Sequence, residues 1–161
     1  MCESLNLLNP ASFLVNWSGI ITYPAESSMP EKPTLLIVDD EANVLFTLKL
    51  VLEEDGYEIT TASNCADALK LIHNAHQFDA ILTDLRMEQE DIGLQLAEAA
   101  AKLHPRPVIM IFTGYGSVEN ARGALGIQVD YFALKPLDLD DLKNALHRLL
   151  VLRGHARRGL A

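Results

Sequence analysis

Three features of this 161-residue chain predict an α/β fold built on a five-stranded parallel sheet. Short apolar runs recur five times, stretches with apolar residues at helical spacing lie between them, and polar or charged residues close most of the runs.

The elements follow in order from residue 34. Leu35-Leu36-Ile37-Val38 is a continuous apolar run, as expected of a strand covered on both faces. Val44, Leu45, Leu48, Val51 and Leu52 then recur at helical spacing, and Gly56 offers a C-terminal stop. Residues 57–61 are rich in β-formers, after which Cys65, Ala68, Leu69 and Ile72 repeat the helical stripe. Ala80-Ile81-Leu82 predicts a third strand, residues 94–103 a third helix, and Val108-Ile109-Met110-Ile111-Phe112 the clearest strand of the chain. A short helix is expected after Ser117, with Val118, Ala121 and Leu125 inward, followed by a fifth strand over residues 130–134. Leu139, Leu142, Leu146 and Leu149 form the stripe of a last helix, with Asp138 as its N-cap. Parallel strands need right-handed crossovers, which place helices on both faces, and the commonest order is 2-1-3-4-5.

The two ends read differently. Residues 1–33 carry Pro10, Pro24, Pro30 and Pro33 and no sustained periodicity, which predicts a poorly ordered N-terminal extension containing Trp17, with Met29 as an alternative start. The domain is expected over residues 34–152, followed at 153–161 by a short basic, solvated tail with Arg153, His155, Arg157 and Arg158.

Composition narrows the function classes. The chain is 49% apolar and 22% charged, an ordinary globular balance, and its net charge of −9 argues against general nucleic-acid binding. No apolar run reaches the roughly 18 residues of a bilayer span. The partly apolar stretch 11–23 is broken by Asn16, Ser18 and Gly19, and no Lys or Arg precedes it, so no secretory signal is expected. Cys2 and Cys65 are far apart without ligand spacing, which suits a reducing compartment; the cytoplasm is the expected location.

In open parallel sheets, ligands gather beyond the carboxyl ends of the strands. The first strand ends in Asp39-Asp40, the third in Asp84, the fourth in Thr113 and the fifth in Lys135. In the expected order these four strands are contiguous, so their termini converge on one crevice. Each residue alone has an ordinary reading: Asp40 and Glu41 as acids at a helix start, Asp84 and Thr113 as turn residues, Lys135 as a solvated cation. Together, crowded carboxylates call for a hard cation such as Mg²⁺, and a lysine and a hydroxyl beside them fit acceptance of a phosphoryl group on a carboxylate.

These residues also carry a resemblance. Leu36-Ile37-Val38-Asp39-Asp40-Glu41, Thr83-Asp84-Leu85-Arg86-Met87, Phe112-Thr113-Gly114-Tyr115-Gly116 and Leu134-Lys135-Pro136 resemble, in order and spacing, the motifs of the receiver domain of bacterial response regulators. The resemblance runs from about Thr34 to Leu152 and implies a flavodoxin-like (βα)5 fold of the single-domain, chemotaxis-regulator type. It implies Asp84 as phosphoacceptor, with Mg²⁺ held by Asp39, Asp40, Asp84 and the backbone carbonyl of Arg86. Thr113 and Lys135 would contact phosphoryl oxygens, and the Lys135-Pro136 peptide would be cis. Thr113 and Phe132 would act as the switch pair. The implied donor is a sensor histidine kinase or a histidine phosphotransfer protein, and a phosphorylation-dependent dimer is a further implied partner. The role would be that of a phosphoryl acceptor promoting its own modification, either a regulator acting by protein contact or an intermediate in a phosphorelay, with no nucleic acid or membrane expected.

Two departures stand out. The family commonly has Met-Pro after its phosphorylation motif, whereas this chain has Met87-Glu88-Gln89-Glu90-Asp91-Ile92-Gly93. Arg86 and Tyr115 are bulky residues beside the expected phosphoryl position and are expected to restrict attacking water and prolong the phosphorylated state. Three competing readings are an aspartate-nucleophile phosphohydrolase, a receiver-like module that is never phosphorylated, and a receiver cut from a larger regulator. The first usually places a second aspartate two positions after the nucleophile, and Arg86 stands there.

Overall fold

The computed structural model of the protein describes residues 32–74, 77–87, 92–114 and 126–158, with side chains in the final helix as far as Gly154. Most of the expected N-terminal extension, the helix expected after Ser117, and Tyr115 lie outside these residues.

The described residues form five strands and four helices: β1 (Thr34–Val38), α1 (Ala42–Glu54), β2 (Glu58–Ala62), α2 (Cys65–His73), β3 (Ala80–Asp84), α3 (Ile92–Ala101), β4 (Val108–Thr113), β5 (Tyr131–Leu134) and α4 (Leu139–Arg158). The strands form one parallel sheet in the order β2-β1-β3-β4-β5, as the sequence predicts.

Burial explains which strands read clearly. β3 and β4 lie inside the sheet with every residue buried, so an apolar side chain is favoured at nearly every position. β2 and β5 are edge strands and only partly covered. Alternation along β1 divides the core in two. Leu36 and Val38 pack with Ile81, Ile109 and Ile111 under α2 and α3. Leu35 and Ile37 face the other way, with Leu82, Met110 and Phe112 under α1 and α4. Helices therefore cover both faces.

Local chemistry sets the helix ends. After α1, Gly56 takes φ +91 and its N–H donates to Glu53 O at 3.0 Å, a left-handed stop that any Cβ would disfavour. Asn64 caps α2, accepting from Asp67 N at 2.8 Å. Asp138 caps α4 through Oδ1, which accepts from Asp140 N and Asp141 N, both at 3.0 Å.

α4 corrects one expectation. The helix runs to Arg158, past the boundary read at Leu152. Arg153, read as the start of a solvated tail, is partly buried and donates to Asp130 Oδ1 at 2.9 Å. A partner distant in sequence had left no periodic trace.

Candidate functional site

Four strands bring their carboxyl ends to one edge of the sheet. β1 runs into Asp39, fully buried, whose N–H donates to Ala62 O at 3.2 Å. β3 ends in Asp84, with 5% of its surface exposed, and β4 ends in the fully buried Thr113. The carbonyl of Thr113 accepts from Lys135 N at 2.8 Å, which fixes the lysine backbone just beyond β5. The Lys135-Pro136 peptide is cis.

The side chains meet. Lys135 Nζ donates to Asp39 Oδ2 at 2.8 Å, to Asp84 Oδ2 at 2.9 Å and to Glu41 Oε1 at 3.2 Å. Carboxylate oxygens of Asp39, Glu41 and Asp84 lie within 4.8 Å of one another. The second oxygens of the two aspartates are also engaged: Asp39 Oδ1 accepts from Glu41 N at 2.8 Å, and Asp84 Oδ1 from Arg86 N at 3.2 Å. Glu41, Asp84, Arg86, Thr113, Gly114 and Lys135 line an open pocket of about 350 Å³. Phe132 lies deeper, half-buried on β5 beside Ile111 of β4.

One ammonium thus faces three carboxylates, two of them nearly removed from water. Burial pushes the Asp39 carboxyl above its ordinary value, although hydrogen bonds from Lys135 and the Glu41 N–H oppose that shift. Burial also works against the charge on Lys135, but hydrogen bonds and charge from Asp39 and Asp84 outweigh it and raise the lysine pKa. The lysine stays charged and still leaves the cluster negative. Hard oxygen donors with uncompensated charge fit a small divalent cation, and Mg²⁺ typically uses one or two carboxylates and retains waters.

Lys135→Met is therefore expected to lower stability in chelator-treated buffer by about 3 kcal/mol, the low end for a broken buried pair, because it leaves buried carboxylates without their cation. Thermal unfolding with and without Mg²⁺ checks this. Mg²⁺ should stabilise the variant more than the wild type, and equal stabilisation would contradict it.

Asp40 is exposed and outside the group of converging oxygens, and Glu41 takes a place in it. Glu41 occupies the N-cap position of α1 without making a side-chain cap bond, so its carboxylate reaches Lys135 instead. A glutamate where Ser, Thr, Asp or Asn is usual was the available signal.

Gly93 is a second residue that the sequence did not mark as part of the site. A Cβ there would stand 2.1 Å from Asp84 O and 2.7 Å from Leu85 Cα. The first turn of α3 thus lies directly against the strand end that carries Asp84, with Gly93 N donating to Leu85 O at 3.1 Å.

The sequence model of the response regulator receiver domain matches residues 35–147. The chain belongs to this family. As a receiver domain it is a signalling module rather than a conventional enzyme. It is 37% identical over 119 residues to the transcriptional regulatory protein GlrR of Escherichia coli K12, covering 73% of this chain and 26% of GlrR. The chain thus spans about a quarter of the length of the curated relatives it matches. Among solved structures, a CheY-like receiver domain protein from Methanospirillum hungatei matches with TM-score 0.74 and 30% identity, covering 78% of this chain and 99% of that one. The response regulator TrrA of Thermotoga maritima, solved in complex with Mg²⁺-BeF, matches with TM-score 0.64 and 30% identity, covering 73% and 98%. Among the described residues of this receiver, no helix is long and apolar enough to cross a membrane.

Proposed function

We propose that this receiver accepts a phosphoryl group on Asp84 and signals by a conformational switch and protein contact. The convergence of Asp84, Thr113 and Lys135 on one pocket, with Asp39 buried behind it against Lys135, carries the reading.

An Asp84 oxygen attacks phosphorus in line with the leaving group. The donor's bond to phosphorus breaks and the leaving nitrogen or oxygen keeps the electron pair. Transfer of this kind needs alignment and neutralisation of oxygen charge more than covalent help. Lys135 lies 2.9 Å from Asp84 Oδ2 and pairs with a phosphoryl oxygen as the group arrives; Thr113 donates its hydroxyl to another. Asp39, Asp84 and the backbone carbonyl of Arg86 would hold Mg²⁺, with Asp40 joining directly or through a water and Glu41 close enough to take part. When bound, Mg²⁺ supplies the positive charge that lets an anionic donor approach this acidic pocket.

The donor is a phosphohistidine on a sensor histidine kinase or a histidine phosphotransfer protein. An apolar cleft next to the pocket, lined in part by Val44, Leu48, Pro136 and Leu137, and the exposed Phe46 and Leu50 on α1 offer it surface. The added group carries about −1.5 to −2 charge and three acceptor oxygens. It draws Thr113 toward it and biases Phe132 of β5 inward, shifting a balance between two arrangements of that face.

Intact-mass measurement after incubation with acetyl phosphate tests the reading. A gain of one phosphoryl mass with Mg²⁺ and none with a chelator is expected. Failure with acetyl phosphate and with a panel of histidine kinases would favour a receiver-like module that works without phosphorylation.

A further inference from the structure

At the opposite end of the sheet from Asp84, one carboxylate holds several segments together. Asp130 stands just before β5, and its N–H donates to Ile109 O at 2.8 Å while its Oδ2 accepts from Ile109 N at 2.8 Å. Arg106, ahead of β4, places Nη1 2.9 Å from Asp130 Oδ2, and its Nη2 donates to the carbonyl of Gln128. Gln128 itself takes φ 62, a left-handed conformation unusual for a residue with a side chain. The remaining partner is Arg153 of α4, whose Nη2 lies 2.9 Å from Asp130 Oδ1.

This last pair falls where the helix needs it. Leu142, Ala145 and Leu146 are buried against the sheet, and Leu149 and Leu150 pack at the margin of the same cluster. Val151 and Leu152 then turn outward, 43% and 66% exposed, so apolar packing weakens at this turn. Gly154 follows, the least favourable ordinary residue for a helix interior, with open space where its Cβ would be. Four further residues remain helical beyond it, to Arg158.

We propose that Arg153 and Asp130 form a latch that keeps the last turns of α4 ordered and docked, and that its release frees those turns without opening the domain. The bond joins the helix end to the residue that also sets the start of β5, so the direction of the helix is fixed by the sheet. Arg153→Ala isolates the effect, because Arg106 remains on Asp130 and the turn before β5 keeps its partner.

Hydrogen exchange by mass spectrometry on the full chain tests the latch. In Arg153→Ala, amide exchange over residues 150–158 should rise about tenfold, while residues 35–52 exchange as in the wild type. Arg153→Lys, which keeps a cation in reach of the carboxylate, should fall between the two. Arg148→Ala is the control, since among the described residues its guanidinium donates within the helix, to Asn144 O at 3.3 Å. Unchanged exchange at the helix end would overturn the proposal. So would equal acceleration through the whole chain, which would make the pair a general prop of the fold. Neither result depends on whether Asp84 takes a phosphoryl group.

Discussion

Asp84→Asn is expected to abolish phosphoryl uptake completely and to leave the fold intact. The amide nitrogen and oxygen are not nucleophiles at the required level, so the pocket loses its acceptor while keeping its shape. Arg86 N and Lys135 bond to different oxygens of Asp84, at 3.2 and 2.9 Å, and the single amide oxygen of asparagine can keep one of these two contacts. The substitution also removes one of three crowded negative charges. The lost hydrogen bond and the relieved crowding oppose each other, so stability in chelator-treated buffer should stay within about 1 kcal/mol of the wild type. Intact mass and urea unfolding of the same sample check both halves. Continued uptake in Asp84→Asn would place the modification elsewhere, and a collapse in stability would mean that the aspartate serves the fold.

Gly93→Ala is expected to produce the largest loss of stability from a single methyl group. Its Cβ would collide with backbone atoms, the carbonyl oxygen of Asp84 and the Cα of Leu85, neither of which can rotate away. Either α3 moves off β3 or the end of β3 moves. Overpacking of a tight site typically costs about 1–3 kcal/mol. A clash with backbone belongs at the upper end of that range, and the cost should include damage to the acceptor site. Urea unfolding should show a loss of about 3 kcal/mol, with slower phosphoryl uptake in the protein that remains folded. A variant with wild-type stability would mean that the approach of α3 to Asp84 is looser than described.

What the sequence disclosed and what it withheld follow from distance along the chain. β3 and β4 are buried on both faces, so their apolar runs could be read directly. Strand-end position then pointed to Asp84, Thr113 and Lys135, because parallel topology alone brings such ends together. The approach of Glu41 to Lys135 was not visible. It depends on how the chain turns from β1 into α1, where Asp39 accepts from Glu41 N and leaves the glutamate at the cap position. The role of Gly93 was hidden for a similar reason, since a close approach between helix and strand is a tertiary fact. Arg106, Asp130 and Arg153 are joined only by folding, so the basic end of the chain read as a solvated tail although Arg153 is bound.

The most direct test is a crystal structure of the protein with Mg²⁺ and beryllofluoride, which mimics a phosphoryl group on a carboxylate. The fluoroberyllate should be bonded to an Asp84 oxygen, with the Lys135 ammonium and the Thr113 hydroxyl each donating to a fluorine and the metal held beside Asp39. A fluoroberyllate attached elsewhere, or none bound while Lys135 stays on Asp39 and Asp84, would contradict the assignment of this pocket as the acceptor site.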